Sequence, residues 1–164
     1  MRAALIGSVI TACLTSSLAA QAGRPSARPP VRPSAAAAAR TPTRIVVYKS
    51  PTCGCCGKWI DYMRANGFTV EVHDQNDLTA LKRAAGISDA NASCHTAQIG
   101  GYVVEGHVPV AAIRRMLRER PAIAGLSVPG MVAGTPGMEQ GTQHPAYDVM
   151  AIGRDGRTTL YERH

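Results

Sequence analysis

Beyond its first residues, this sequence has no run of apolar residues near the roughly 18–20 needed to cross a bilayer, so no internal membrane span is expected. It also lacks a Ser-His-Asp set, a phosphate-cradling glycine loop and a paired-carboxylate site, which removes the usual motif-based grounds for a hydrolase or a nucleotide binder. No internal repeat is present. At 164 residues the chain has room for one domain of ordinary size and not for two with substantial cores. Its hydrophobic share of 45% excludes a wholly disordered chain.

The formal charge of +7 resembles a nucleic-acid signal only until it is located. Arg2 belongs to the N-terminal segment, and Arg24, Arg28, Arg32, Arg40 and Arg44 lie in a stretch without a single acid. From Ile45 to His164, twelve of the 18 Lys+Arg face all 11 Asp+Glu. A near-neutral domain behind a basic tail gives no reason to expect nucleic acid.

Met1-Arg2, the apolar stretch Ala3–Leu14 and the small residues ending Ala20-Gln21-Ala22 describe a secretory signal peptide, residues 1–22. Ile10-Thr11-Ala12-Cys13 also resembles a bacterial lipoprotein cleavage box, in which Cys13 would carry the lipid. In either case Cys13 is absent from the folded site, and four of the five cysteines remain. Residues 23–43 are mostly Arg, Pro, Ser and Ala, with prolines at 25, 29, 30, 33 and 42 that prevent a continuous helix. They read as a disordered linker, leaving residues 44–164 as the domain.

Within that domain Arg44–Tyr48 is a β-branched run, hence a buried strand. Trp59, Ile60, Tyr62 and Met63 recur at helical spacing in Lys58–Asn66, and Gly67 stops the helix. Phe68–Val72 alternates as a second strand, and Asp77–Ala85 reads as a second helix. Thr96–Ile99 and Tyr102–Glu105, around Gly100-Gly101, form a hairpin. Pro109 opens a third helix that Pro121 ends. Ile123–Gln143 reads as irregular, and Tyr147–Ile152 with Thr158–Glu162 closes the chain as a hairpin. The order β-α-β-α-β-β-α is that of a thioredoxin-like α/β fold, with an added Gly/Pro/Met loop and a C-terminal hairpin.

The chemistry is in the cysteines. Cys53 and Cys56 make a Cys-x-x-Cys pair between the first strand and the first helix, where helix N–H groups and the dipole favour thiolate. Cys55 adds a third thiol in four residues. The fourth, Cys94, precedes the third strand, in a loop that a thioredoxin-like fold turns toward the start of the first helix. That fold's usual cis-proline is missing there, which argues against ordinary disulfide exchange and leaves room for a ligand.

Two disulfides stapling an exported domain would explain the even count but not the crowding, because cysteines so close together close almost no loop. Soft sulfur donors select Cu(I) first and zinc second. A four-cysteine zinc site usually draws on two separated Cys-x₂₋₄-Cys pairs, absent here. Clustered sulfurs can instead bridge several Cu(I) ions. Met131 and Met138, each in a Pro-Gly-Met unit, are further soft-ligand candidates, with packing of the loop as the alternative.

Among the histidines, His95 beside Cys94 is the best ligand candidate, with a loop-ordering role equally open. His107 is expected to order the start of the third helix, while His73, His144 and the terminal His164 read as surface residues. Trp59, Met63 and Met116 fit core positions.

The segments Tyr48–Trp59, Ser93-Cys94-His95-Thr96 and Gly100–Pro109 closely resemble the CopG-type copper-resistance proteins, a family long labelled only as a domain of unknown function or as metal-binding. Val128-Pro129-Gly130-Met131 and Pro136-Gly137-Met138-Glu139 carry the same resemblance, which covers nearly all of residues 44–164. It implies a periplasmic thioredoxin-like protein, encoded beside copper-efflux and copper-oxidase genes, whose products are the implied partners. It also implies copper held by the Cys-x-Cys-Cys motif and a further cysteine, here Cys53, Cys55, Cys56 and Cys94, as a multinuclear Cu(I) cluster with a role in copper redox interconversion.

The expectation is therefore a monomeric, exported copper-resistance protein that holds Cu(I) and interconverts its oxidation states. Whether it is also an enzyme, a copper-dependent oxidoreductase, stays open. A periplasmic thiol–disulfide oxidoreductase using Cys53 and Cys56 is the alternative, and a zinc or iron–sulfur protein a weaker third.

Overall fold

The computed structural model describes residues 43–164. The segments read above as a signal peptide and, as far as residue 42, a linker lie outside them, as does Cys13. The described chain is a mixed α/β fold: one seven-stranded sheet and three α-helices. The elements run β1 Thr43–Lys49, α1 Gly54–Ala65, β2 Phe68–Asp74, α2 Thr79–Ala84, β3 His95–Ile99, β4 Tyr102–Glu105, α3 Val110–Glu119, β5 Ile123–Ser127, β6 Asp148–Gly153 and β7 Thr158–Arg163. A short 3-10 turn, Asp89–Asn91, precedes β3. No α-helix among the described residues is long and apolar enough to cross a membrane.

The sheet order is β2-β1-β3-β4-β5-β6-β7, with β1–β2 and β4–β5 parallel and the other pairs antiparallel. One register row crosses five strands: Val47 faces Ala97, which faces Val104, then Leu126, then Ala151. All five side chains are buried on the same sheet face. Trp59, Ile60 and Met63 of α1 and Ile113 and Met116 of α3 pack into the same core. Their i, i+3, i+4 spacing is what gives each helix its apolar stripe. The Trp59 Nε1–H donates to the Val108 carbonyl at 3.0 Å and the Val110 N–H donates to Tyr62 Oη at 3.0 Å, which ties α1 to the start of α3. Trp59, Met63 and Met116 are core residues with no exposed surface.

The alternate residues point the other way. Thr96 and Glu105 are cross-strand partners on the face opposite Ala97 and Val104, and both meet Lys82 of α2. Helix α2 therefore covers the sheet face away from α1 and α3.

Two boundaries differ from expectation. Helix α1 starts at Gly54 rather than Lys58, because Cys56 belongs to the buried stripe with Trp59, Ile60 and Met63 and extends it one turn back through two glycines. Ile123–Ser127 is not irregular: it forms β5, parallel to β4. Gly125 hid this strand, since glycine ordinarily weakens a strand pattern. Here it is required. A Cβ on Gly125 would run into the Val103 carbonyl oxygen on β4.

A backbone oxygen cannot move aside as a flexible side chain can. Gly125→Ala is therefore expected to cost about 3 kcal/mol of overpacking strain. Urea unfolding should show a lower midpoint with an unchanged slope.

Candidate metal centre

All four cysteines of the domain converge at one end of the sheet. After β1 ends at Lys49, the turn Ser50–Thr52 leads to Cys53, which caps α1, and Cys55 and Cys56 occupy the first helical turn. Strand β3 runs antiparallel to β1 with His95 opposite Lys49. The residue before β3, Cys94, therefore sits beside the start of α1. The sulfur atoms of Cys53, Cys55, Cys56 and Cys94 all lie within 4.8 Å of one another. Cys53 and Cys56 are joined as a disulfide, with Cα atoms 5.4 Å apart, while Cys55 and Cys94 are free thiols. Cys55 Sγ stands 3.5 Å from Cys53 Sγ. Cys56 is fully buried and the other three are half-buried.

Two imidazoles close the other side of Cys94. His107 Nε2 is 3.1 Å and His95 Nδ1 3.4 Å from Cys94 Sγ, and the three residues form a second compact group of donors within 4.8 Å. His107 Nδ1–H donates to the Pro136 carbonyl at 2.8 Å, which leaves the Nε2 lone pair to accept the Cys94 S–H. His95 packs its ring against Trp59 at 4.5 Å and is buried. Its Nε2 has no hydrogen-bond partner among the described residues.

Burial pushes both imidazoles down, so each stays uncharged at neutral pH with a lone pair to offer. For His95 the neighbouring His107 and Lys82 act in the same direction. Burial, and next the negative charge Cys55 carries when ionised, pushes the Cys94 thiol up to about 11. Cys94 is thus a protonated thiol at neutral pH. A soft cation that binds there must displace its proton.

The segment bearing Cys94 is held by a buried ion pair. The Glu105 carboxylate, at the end of β4 and with no exposed surface, accepts the Ser93 N–H at 2.6 Å and the Thr96 hydroxyl at 2.6 Å, and pairs with Lys82. Burial raises its pKa while Lys82, Thr96 and Ser93 pull against that rise. On the other side of the segment, the Gly130 N–H donates to the Ala92 carbonyl at 2.9 Å and the Ser93 hydroxyl donates to the Gly130 carbonyl. Ser93 is thereby anchored from both β4 and the loop after β5.

That loop also carries the two methionines. Gly130 bridges Ser93 in parallel, which puts Met131 in register beside Cys94, largely exposed. Met138 lies on the other side of the cluster. With Cys55, Lys58 and Glu139 it lines a depression of about 380 Å³ above the first turn of α1. The loop can come this close because Gly137 has φ +84° and a Cβ there would meet Trp59 N at 2.7 Å. Both Glu139 carboxylate oxygens accept the Gly137 N–H at 2.9 Å, which holds Glu139 below its usual range.

Of the residues singled out from sequence, the four cysteines and His95 meet directly, and Met131 and Met138 flank them. His73, His144 and His164 are at the surface. His107 does not merely order the start of α3; it faces Cys94. Its only sequence signal was a histidine two residues past the strand that pairs with the Cys94 strand. Lys82 and Glu105 gave none.

A family model described as a protein of unknown function, DUF411, matches residues 91–138, which include Cys94, His95, His107 and both methionines. Two solved structures of the copper resistance protein CopG, forms 1 and 2, are each 42% identical to this chain with a TM-score of 0.72. They cover 76% of this chain, which in turn covers 99% of form 2 and 98% of form 1. No curated protein matches the chain.

Two outcomes follow from this geometry. Lys82→Met strands the buried Glu105 carboxylate and is expected to cost about 3 kcal/mol in urea unfolding. In the disulfide form, the alkylation rate of Cys94, followed by peptide mapping, should climb about tenfold per pH unit until the pH reaches about 11. In urea the same thiol should level off near the ordinary value of about 8.5.

Proposed function

This chain belongs to the CopG family of copper-resistance proteins, and on that premise we propose that it protects an exported compartment by holding Cu(I) on Cys53, Cys55, Cys56 and Cys94. The observation that carries the reading is the convergence of four sulfurs from two distant segments within 4.8 Å. Thiolates are soft donors, and sulfurs packed this closely can bridge more than one ion, so the cargo is a multinuclear Cu(I) cluster. Met131, Met138, His95 and His107 surround it as supplementary donors. Export rests on residues 1–22, and the implied efflux or oxidase proteins are where the copper goes next.

The domain is read as thioredoxin-like. Support comes from its β-α-β unit, from the Cys-x-x-Cys pair at the first turn of the helix after β1, and from the β3–β4 hairpin leading to α3. The same pair supports copper interconversion. Two Cu(II) ions meeting the reduced Cys53 and Cys56 each take one electron. The products are two Cu(I), the Cys53–Cys56 disulfide and two protons released to solvent. The remaining thiols, Cys55 and Cys94, then receive one of the Cu(I) formed, and the other passes to an acceptor outside the centre.

A second reading, thiol–disulfide exchange, is favoured by one observation: the disulfide itself, at the first turn of a helix. The two readings differ at Cys94, which exchange at Cys53 and Cys56 does not need and a four-sulfur cluster does.

Anaerobic Cu(I) titration of the reduced full chain, carrying Cys13→Ser so that four thiols remain, against a chromophoric chelator decides between them. Several ions per chain, bound together and lost together in Cys94→Ser, are expected. Weak single-ion binding indifferent to Cys94 would overturn the copper reading in favour of disulfide exchange.

A further inference from the structure

When Cys53 and Cys56 are joined, two sulfurs are withdrawn from any metal and two are left. Those two, Cys55 and Cys94, come from different segments, and neither is sealed in the core. Their sulfurs are no farther apart than 4.8 Å. A thiolate–metal bond is about 2.3 Å long, so one ion between two thiolates spans about 4.6 Å. The free pair is thus already close enough for one ion to bridge it while the disulfide is intact.

We propose that the disulfide-bonded protein retains a one-ion Cu(I) site formed by Cys55 and Cys94. This inference rests on the copper reading above and adds that oxidation of the Cys53–Cys56 pair lowers the capacity of the centre to one ion rather than emptying it. Binding is not a redox step. One Cu(I) replaces the protons of two thiols, giving a bis-thiolate complex and two protons in solution.

The surroundings suit that exchange. The Cys94 segment is held in place independently of the disulfide, through the Ser93 N–H on Glu105 and the Gly130 bridge. Cys55 is fixed by its place on the first turn of α1, and it opens on the depression shared with Lys58 and Met138. A cation can therefore reach it from solvent, and the Lys58 ammonium at the rim complements the net negative charge of a bis-thiolate. Two soft donors satisfy Cu(I), the ion that thiolates favour first.

The test uses the full chain with Cys13→Ser in the oxidised state, verified as two titratable thiols per denatured chain, and an anaerobic Cu(I) titration against a chelator. One ion per chain is expected, with affinity falling at least a hundredfold in Cys55→Ser and in Cys94→Ser. The double variant Cys53→Ser/Cys56→Ser, which cannot form the disulfide, should also bind one Cu(I). Emission of Trp59, the only tryptophan, reports that each variant is folded. An oxidised protein that binds no copper while the reduced protein binds several overturns this inference and leaves the copper reading standing. Oxidised binding that survives both single serine variants also overturns it. Failure of the reduced protein to bind copper overturns the underlying reading itself.

Discussion

The antiparallel register of β1 and β3 is the constraint on which the rest of this centre depends. With His95 opposite Lys49, the residue before β3 must lie beside the turn that follows β1. That turn delivers Cys53, Cys55 and Cys56, and the residue before β3 is Cys94. A slip of one residue would turn His95 away from Trp59 and send Cys94 to the other face of the sheet. Burial opposes such a slip, since it would turn Ile45 and Val47 on β1 or Ala97 and Ile99 on β3 out of the core.

Around that pairing, the protein uses its strongest polar interactions to fix one short segment. Glu105 and Lys82 form an ion pair with one fully buried partner, an arrangement that costs desolvation and is rarely retained for stability alone. Its carboxylate also takes the Ser93 N–H, so the energy of the pair is coupled to where Cys94 stands. The loop after β5 completes the clamp through Gly130 and supplies Pro136, whose carbonyl orients His107. The loop's apparent irregularity in sequence is thus what lets it reach over α1 and face Cys94 from the other side.

The centre's donors were easier to read in the sequence than its scaffold. Three cysteines in four residues, a fourth before a β-rich hairpin and the paired Pro-Gly-Met units stood out because sulfur is rare and its clustering has few other causes. The β-branched run at Ile45–Tyr48 and the helical stripe through Trp59 and Met63 were legible because burial imposes a period. Strand β5 was hidden because Gly125 serves a close approach between strands, a need that arises only once β4 is beside it. His107, Lys82 and Glu105 were illegible for a related reason. Their roles come from contacts between segments, such as Lys82 on Glu105 and His107 on Cys94, and no local pattern announces a contact of that kind.

What unites these features is a set of soft, uncharged donors held close together before any ion arrives. Cys94 is kept protonated and both imidazoles neutral by burial, so a cation that enters has only thiol protons to displace, and these go to solvent. X-ray absorption at the copper edge of the reduced, Cu(I)-loaded protein tests this most directly. The account predicts a first shell dominated by sulfur, together with copper–copper scattering from ions that share thiolates. A shell of nitrogen and oxygen, with no copper neighbour, would contradict it.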